Sequence, residues 1–110
     1  MFNINGNEVI LTRGDSFYAV VTLTNKATGE AYTPVEGDVI KFGLKQSEFD
    51  TTCLITKTIP NATRLLYLAP EDTSSLQFGA YLYDIELTYA NGDKDTFINK
   101  EKFIIAAEIV

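Results

Sequence analysis

The 110-residue sequence contains no histidine and no tryptophan, a single cysteine (Cys53), a single methionine and three prolines. The missing histidine removes the commonest general base, the usual partner of a nucleophile and the commonest transition-metal ligand. A lone cysteine cannot close an internal disulfide, which excludes a disulfide-stapled secreted scaffold and fits a reducing compartment. With no histidine beside it to raise its thiolate fraction, Cys53 reads as a small apolar strand residue rather than a nucleophile. Basic residues are also scarce: nine Lys and Arg face fifteen Asp and Glu, a net charge of −6. Counterion-release binding to phosphates needs the opposite sign or a basic patch, so no nucleic-acid partner is expected. No apolar run approaches the ~20 residues of a membrane-spanning helix, and the first ten residues lack the basic and apolar regions of a secretory signal. The expectation is cytosolic synthesis without membrane association.

What is present points to strands. Hydrophobic residues make up 45% and charged residues 22% of the chain, which separates it from disordered sequences and suits one domain over residues 1–110. Six Tyr and seven Phe sit among many Thr, Val and Ile, the residues that fit a pleated, half-buried surface. Apolar runs of strand length recur between turn residues: 8–12, 16–24, 38–45, 54–58, 64–68, 80–89, 94–98 and 102–110. In 16–24, Phe17, Ala19, Val21 and Leu23 alternate with Tyr18, Val20, Thr22 and Thr24, and the first set is assigned to the core. In 38–45, Ile40, Phe42 and Leu44 face inward while Lys41 and Lys45 face out. Leu66 and Leu68 are expected inward, as are Phe103 and Ile105. The strongest alternation is Tyr81, Tyr83, Ile85, Leu87 and Tyr89 against Leu82, Asp84, Glu86 and Thr88. Asn91-Gly92 suits a tight hairpin, residues 25–30 read as a turn, and Pro70-Glu71-Asp72 starts no more than one helical turn. Together these predict an all-β, antiparallel sandwich of about seven strands.

The search for chemistry finds little. Asp93 and Asp95 beside the hairpin turn lack the alternating ligand series of a calcium loop, and Asp84 and Glu86 fall on the outer face of a strand, where charge keeps a sheet soluble. Arg13-Gly14-Asp15 spells an adhesion tripeptide but reads as a turn between strands. Asn61-Ala62-Thr63 matches a glycosylation acceptor without a secretory route to use it. No enzyme activity, metal or cofactor is expected.

Three stretches carry a resemblance. They are Leu11-Thr12-Arg13-Gly14-Asp15 leading into Val21-Thr22-Leu23-Thr24; Glu36-Gly37-Asp38 before Ile40-Lys41-Phe42; and the run from Leu68-Ala69-Pro70-Glu71-Asp72-Thr73 through Phe78-Gly79-Ala80-Tyr81-Leu82-Tyr83 to Asn91-Gly92-Asp93. Their order and spacing resemble small immunoglobulin-like structural proteins of tailed phages and prophages, similar to the N-terminal domain of the phage baseplate upper protein. Ala69 stands where such proteins carry a Thr, and the sequence is expected to lack their receptor-binding or trimerising extension. The resemblance implies an immunoglobulin-like sandwich acting as a non-enzymatic part of a tail or baseplate, in contact with other virion proteins and with copies of itself. Gly79 and Tyr81 resemble a tyrosine corner, in which the hydroxyl clamps upstream backbone. Tyr18, Val20, Leu82 and Tyr89 are the candidates for the interaction surface. An alternative is a module that binds host glycans through the exposed aromatics Tyr32 and Phe49.

Overall fold

Side-chain alternation lays out the strands, and the structure, a computed structural model, describes residues 2–24 and 27–107. In chain order the elements are β1 (Phe2–Asn5), β2 (Glu8–Thr12), β3 (Phe17–Val20), β4 (Leu23–Thr24), β5 (Ala31–Tyr32), β6 (Val39–Lys45), β7 (Ile55–Ile59), β8 (Leu65–Leu68), the single-turn α1 (Pro70–Thr73), β9 (Gly79–Thr88) and β10 (Lys94–Ala106). Six strands form one sheet in the order β1-β2-β10-β9-β6-β7, while β3 pairs with β8 and β4 with β5 in two small ribbons. The fold is all-β. It is not wholly antiparallel, because β10 runs parallel to β2, with Phe103 opposite Val9 and Ile105 opposite Leu11.

The core fills the space between the inner face of the large sheet and the two ribbons. Ile40, Phe42 and Leu44 of β6 and Tyr81, Tyr83, Ile85 and Leu87 of β9 are buried, as the alternation predicts, and they meet Phe17, Leu23, Leu66 and Leu68 from the ribbons. Phe103 is the hub. Its ring lies 5.7 Å from Phe17, 6.1 Å from Phe42 and 5.9 Å from Tyr83, edge-on or tilted in each case, the arrangement favoured by ring quadrupoles. Burying each of these side chains contributes about 1.5–3 kcal/mol, so a handful of contacts outweighs any local propensity.

Three departures from the sequence reading have local causes. The run 16–24 breaks after Val20 into β3 and β4, because Val21 still bonds to Arg64 beside β8 whereas Leu23 pairs with Tyr32 of β5. The stretches 94–98 and 102–106 are one strand, β10, which stays paired to β9 through irregularities between Thr96 and Ile98 and between Ile98 and Glu101. Lys100 takes a left-handed φ of 54° there, and its amide donates to the Asp84 carboxylate (2.6 Å) in place of a strand partner. β1 forms a hairpin with β2 across Gly6, at φ 62°. The sequence reading did not assign it although Phe2 and Ile4 alternate with Asn3 and Asn5 ahead of Gly6, because the signal is only four residues long. Finally, Asn25-Lys26 of the expected turn and residues 108–110 of the expected last strand lie outside the described residues.

The crossing from the β3–β8 ribbon to the large sheet is made by α1 and the loop after it. Ala69 has no side chain to cap the helix, and the Asp72 carboxylate accepts the Ala69 amide instead (2.8 Å) while pairing with Lys57 (2.9 Å). Gly14, at φ 83°, donates its amide to the buried Thr73 hydroxyl (3.1 Å). Arg13 donates to the Leu76 carbonyl (3.3 Å) and stacks its guanidinium 4.2 Å from the centre of the Phe78 ring. The Arg13-Gly14-Asp15 turn is thereby bound to the α1 loop.

Candidate interaction surface

The strand period puts Tyr18 and Val20 on the outside of β3, and the register with β8 sets Tyr18 directly opposite Tyr67 and Val20 opposite Leu65. All four are exposed, Tyr18 at 58% and Val20 at 61%. Cross-strand neighbours of this kind touch one another, and the Phe2 ring adds to the patch, edge-on to Tyr18 at 5.5 Å. The result is a small uncharged ladder on the outer face of a two-stranded ribbon. Tyr67 and Leu65 were legible in the sequence as the outward partners of Leu66 and Leu68, but period-2 alternation does not say which strand lies beside which.

The other two candidates do not join them. Leu82 is half-buried on the outer face of the large sheet, in a concavity of about 260 Å³ that it shares with Lys41, Gly43, Cys53, Asp84 and Lys100. Charges of both signs line it: Lys100 pairs with Glu48 (3.4 Å), and Glu86 at its margin pairs with Lys94 (3.4 Å). Tyr89 keeps the inward parity of Tyr81 to Leu87. Its ring packs edge-on against Tyr32 at 5.6 Å and against the core, and burial followed by the nearby Asp95 raises its pKa. It is a packing residue at the end of the sheet.

That end is organised by Asp38, only 6% exposed. Its carboxylate accepts from the Tyr32 hydroxyl (2.6 Å), the Val35 amide (3.0 Å) and the Ala90 amide (3.1 Å), while its carbonyl accepts from the Asn61 side chain (2.8 Å). The hydrogen bond from Tyr32, then that from Val35, holds the Asp38 carboxyl below its ordinary pKa, and the same bond pushes the Tyr32 hydroxyl up to about 12. Tyr32, a suspect for stacking on sugars, is thus half-buried and committed to this network, whereas Phe49 is exposed in the loop after β6. Asn61, of the glycosylation-like tripeptide, is a loop tie.

At the opposite end of β9, Tyr81 donates its hydroxyl to the Gln77 carbonyl (2.6 Å), and Gly79 sits at φ 145°. These two residues tie the start of β9 to the loop that crosses between layers. Tyr83 donates to the Asn7 carbonyl, and burial followed by the Glu101 charge pushes its pKa up to about 12. Among the described residues no group of three or more His, Cys, Asp and Glu is placed to hold a metal ion, and no helix is long and apolar enough to cross a membrane.

The chain matches no family model, no curated protein and no solved structure.

Proposed function

We propose that this chain is a non-enzymatic assembly module of a phage or prophage particle, made in the bacterial cytoplasm and built into the tail, baseplate or an adjoining part of the virion through protein–protein contacts. The observation that carries the reading is the uncharged ladder of Tyr18, Val20, Leu65 and Tyr67. In a chain of net charge −6, a patch of this kind is where two protein surfaces meet without charge repulsion. The family resemblance of residues 68–93 supplies the particle. The finer description of the fold belongs to the same proposal: a large sheet whose inner face packs on the β3–β8 ribbon, with α1 crossing between them, suits an immunoglobulin-like sandwich.

Mass spectrometry of particles released after induction of the parent prophage tests the proposal. The expected result is this chain at a fixed copy ratio to a tail or baseplate protein. Its absence from purified particles, together with strictly monomeric behaviour of the isolated protein, overturns it.

A further inference from the structure

We infer that the open edge of β3 is a docking site for a short extended segment of another protein, which pairs with Val20 and sends uncharged side chains into a slot in the core. The inference deepens the assembly reading and rests on it only in taking the partner to be a protein.

Three observations meet at this edge. The first is a mismatch between the layers. Six strands span roughly 24 Å between the outermost axes, whereas the facing β3–β8 ribbon spans about 5 Å, so the second layer stops short even with β4–β5 beside it. Ile4 records the shortfall. It lies opposite buried Val9 in the β1–β2 hairpin and shares its inward face, yet it remains 43% exposed.

The second is the backbone. The Val21 amide donates to the Arg64 carbonyl (2.8 Å), which makes Val21 a hydrogen-bonded partner on the β8 side. By the alternation of an antiparallel ladder, the amides and carbonyls of Tyr18 and Val20 point the other way, toward the free edge. Among the described residues β3 has no strand on that side. Phe2, packed on Phe17 and Tyr18, closes the Tyr18 end of the edge and leaves the Val20 end open.

The third is a slot of about 250 Å³ between the β1–β2 hairpin tip and the end of β3. Ile4, Asn7, Val20 and Thr22 rim it, and Phe17, Ile98 and Phe103 are among its walls. Among the described residues no Asp, Glu, Lys or Arg lines it, so a charged side chain entering it would lose its hydration with no partner among them.

Area decides between a second copy packed face to face and an inserted segment. The exposed parts of Tyr18, Tyr67, Val20 and Leu65 offer roughly 400 Å² on the outer face, with Ile4 turned the other way beside the slot. A face-to-face dimer would have to draw the rest of the ~800 Å² per partner from surrounding surface, where two copies of net charge −6 repel, and would leave the slot unfilled. An added strand does not depend on area alone, because main-chain hydrogen bonds and one or two side chains in the slot supply its affinity.

The test uses the intact chain and blocked seven-residue peptides alternating Thr with Val, Ile or Phe. Each has two controls, one N-methylated at alternate residues and one with Lys at the apolar positions. The expected result at peptide concentrations up to about 1 mM is a shift of the Ile4, Val20 and Ile98 methyl resonances and slowing of Val20 amide exchange by about tenfold. Both controls should weaken binding by at least about tenfold. V20P removes only the outward amide and should keep the fold while losing the peptide. V20K, with a charge at the mouth, carries the same expectation and serves if V20P does not fold. No shift with any peptide overturns the inference, as does equal binding of the N-methylated control, which would mark the slot as a site for small apolar molecules. Concentration-dependent protection of the Val20 amide without peptide also overturns it and assigns the edge to a second copy. These outcomes are independent of particle proteomics: absence from particles would end the assembly reading and leave peptide pairing standing, while failure of the peptides would do the reverse.

Discussion

Gly37 lies so close beneath Ala90 that a methyl group at Gly37 would stand 2.8 Å from the Ala90 Cβ. The contact brings the loop before β6 against the loop after β9, and it is the approach that lets Asp38 reach the Ala90 amide. Gly37 also has φ 94°, a region unfavourable for residues with a Cβ. Gly37→Ala should therefore destabilise the fold by about 2–4 kcal/mol, from left-handed strain plus overpacking. Thermal or denaturant unfolding measures it. A90G in the same chain should recover the overpacking part and leave the backbone part.

Gly43 makes an instructive contrast. A Cβ there would stand 2.9 Å from the Cys53 Sγ, on a backbone without positive φ. The obstacle is the end of a side chain. Gly43→Ala should cost about 1 kcal/mol, and Cys53→Ala beside it should restore most of the loss. A double-mutant cycle by chemical denaturation reads the coupling, and additive effects would show that the thiol does not rest on Gly43.

Phe103→Ala removes the ring that touches Phe17, Phe42 and Tyr83. A loss of about 3–5 kcal/mol is expected. Tyr81→Phe is the finer cut: it keeps the ring and leaves the Gln77 carbonyl without its donor, for about 1–2 kcal/mol. Denaturant midpoints distinguish the two, and a neutral Tyr81→Phe would show that the hydroxyl does not hold the crossing loop.

Stability should fall at both ends of the pH scale through identifiable groups. The folded pKa of Asp38 is lowered, so the stability it contributes is present above the ordinary carboxylate pKa of about 4 and is lost as pH falls through the lower folded value. Asp38→Asn should flatten that acid limb in thermal melts. Tyr32 and Tyr83 are both raised to about 12, so what their neutral forms contribute is present below about pH 10 and lost as pH climbs toward 12. Tyr32→Phe and Tyr83→Phe should each remove part of the tyrosinate absorbance that develops near pH 12.

Much of the fold was legible because inward and outward residues alternate cleanly: Ile40, Phe42 and Leu44 of β6 and Tyr81 to Leu87 of β9 are buried as their period demands. β10 was read as two strands because Asn99-Lys100-Glu101-Lys102 carries no apolar alternation, and its pairing is kept by β9 rather than by its own side chains. The candidate surface was half legible. Tyr18 and Val20 do lie outside, but a period of two cannot tell one sheet's outer face from another's, so Leu82 was grouped with residues on the opposite layer. Tyr89 shows a second limit: part of its burial comes from Tyr32, which arrives from the distant strand β5. The Asp38 network had only one sequence signal, a Gly-Asp pair ahead of an apolar strand.

The parallel pairing of β2 with β10 couples the beginning of the fold to its last strand. Until Phe103 and Ile105 leave the ribosome, Val9 and Leu11 have only the β1 hairpin beside them, and β9 lacks the strand on its other flank. The large sheet can close only once β10 has been made, after segments some ninety residues apart have been brought together, an ordering that slows folding. Until β10 docks, β2 and β9 expose strand edges that the folded molecule covers, and the time taken to bring β10 into place sets how long those edges stay open to other chains.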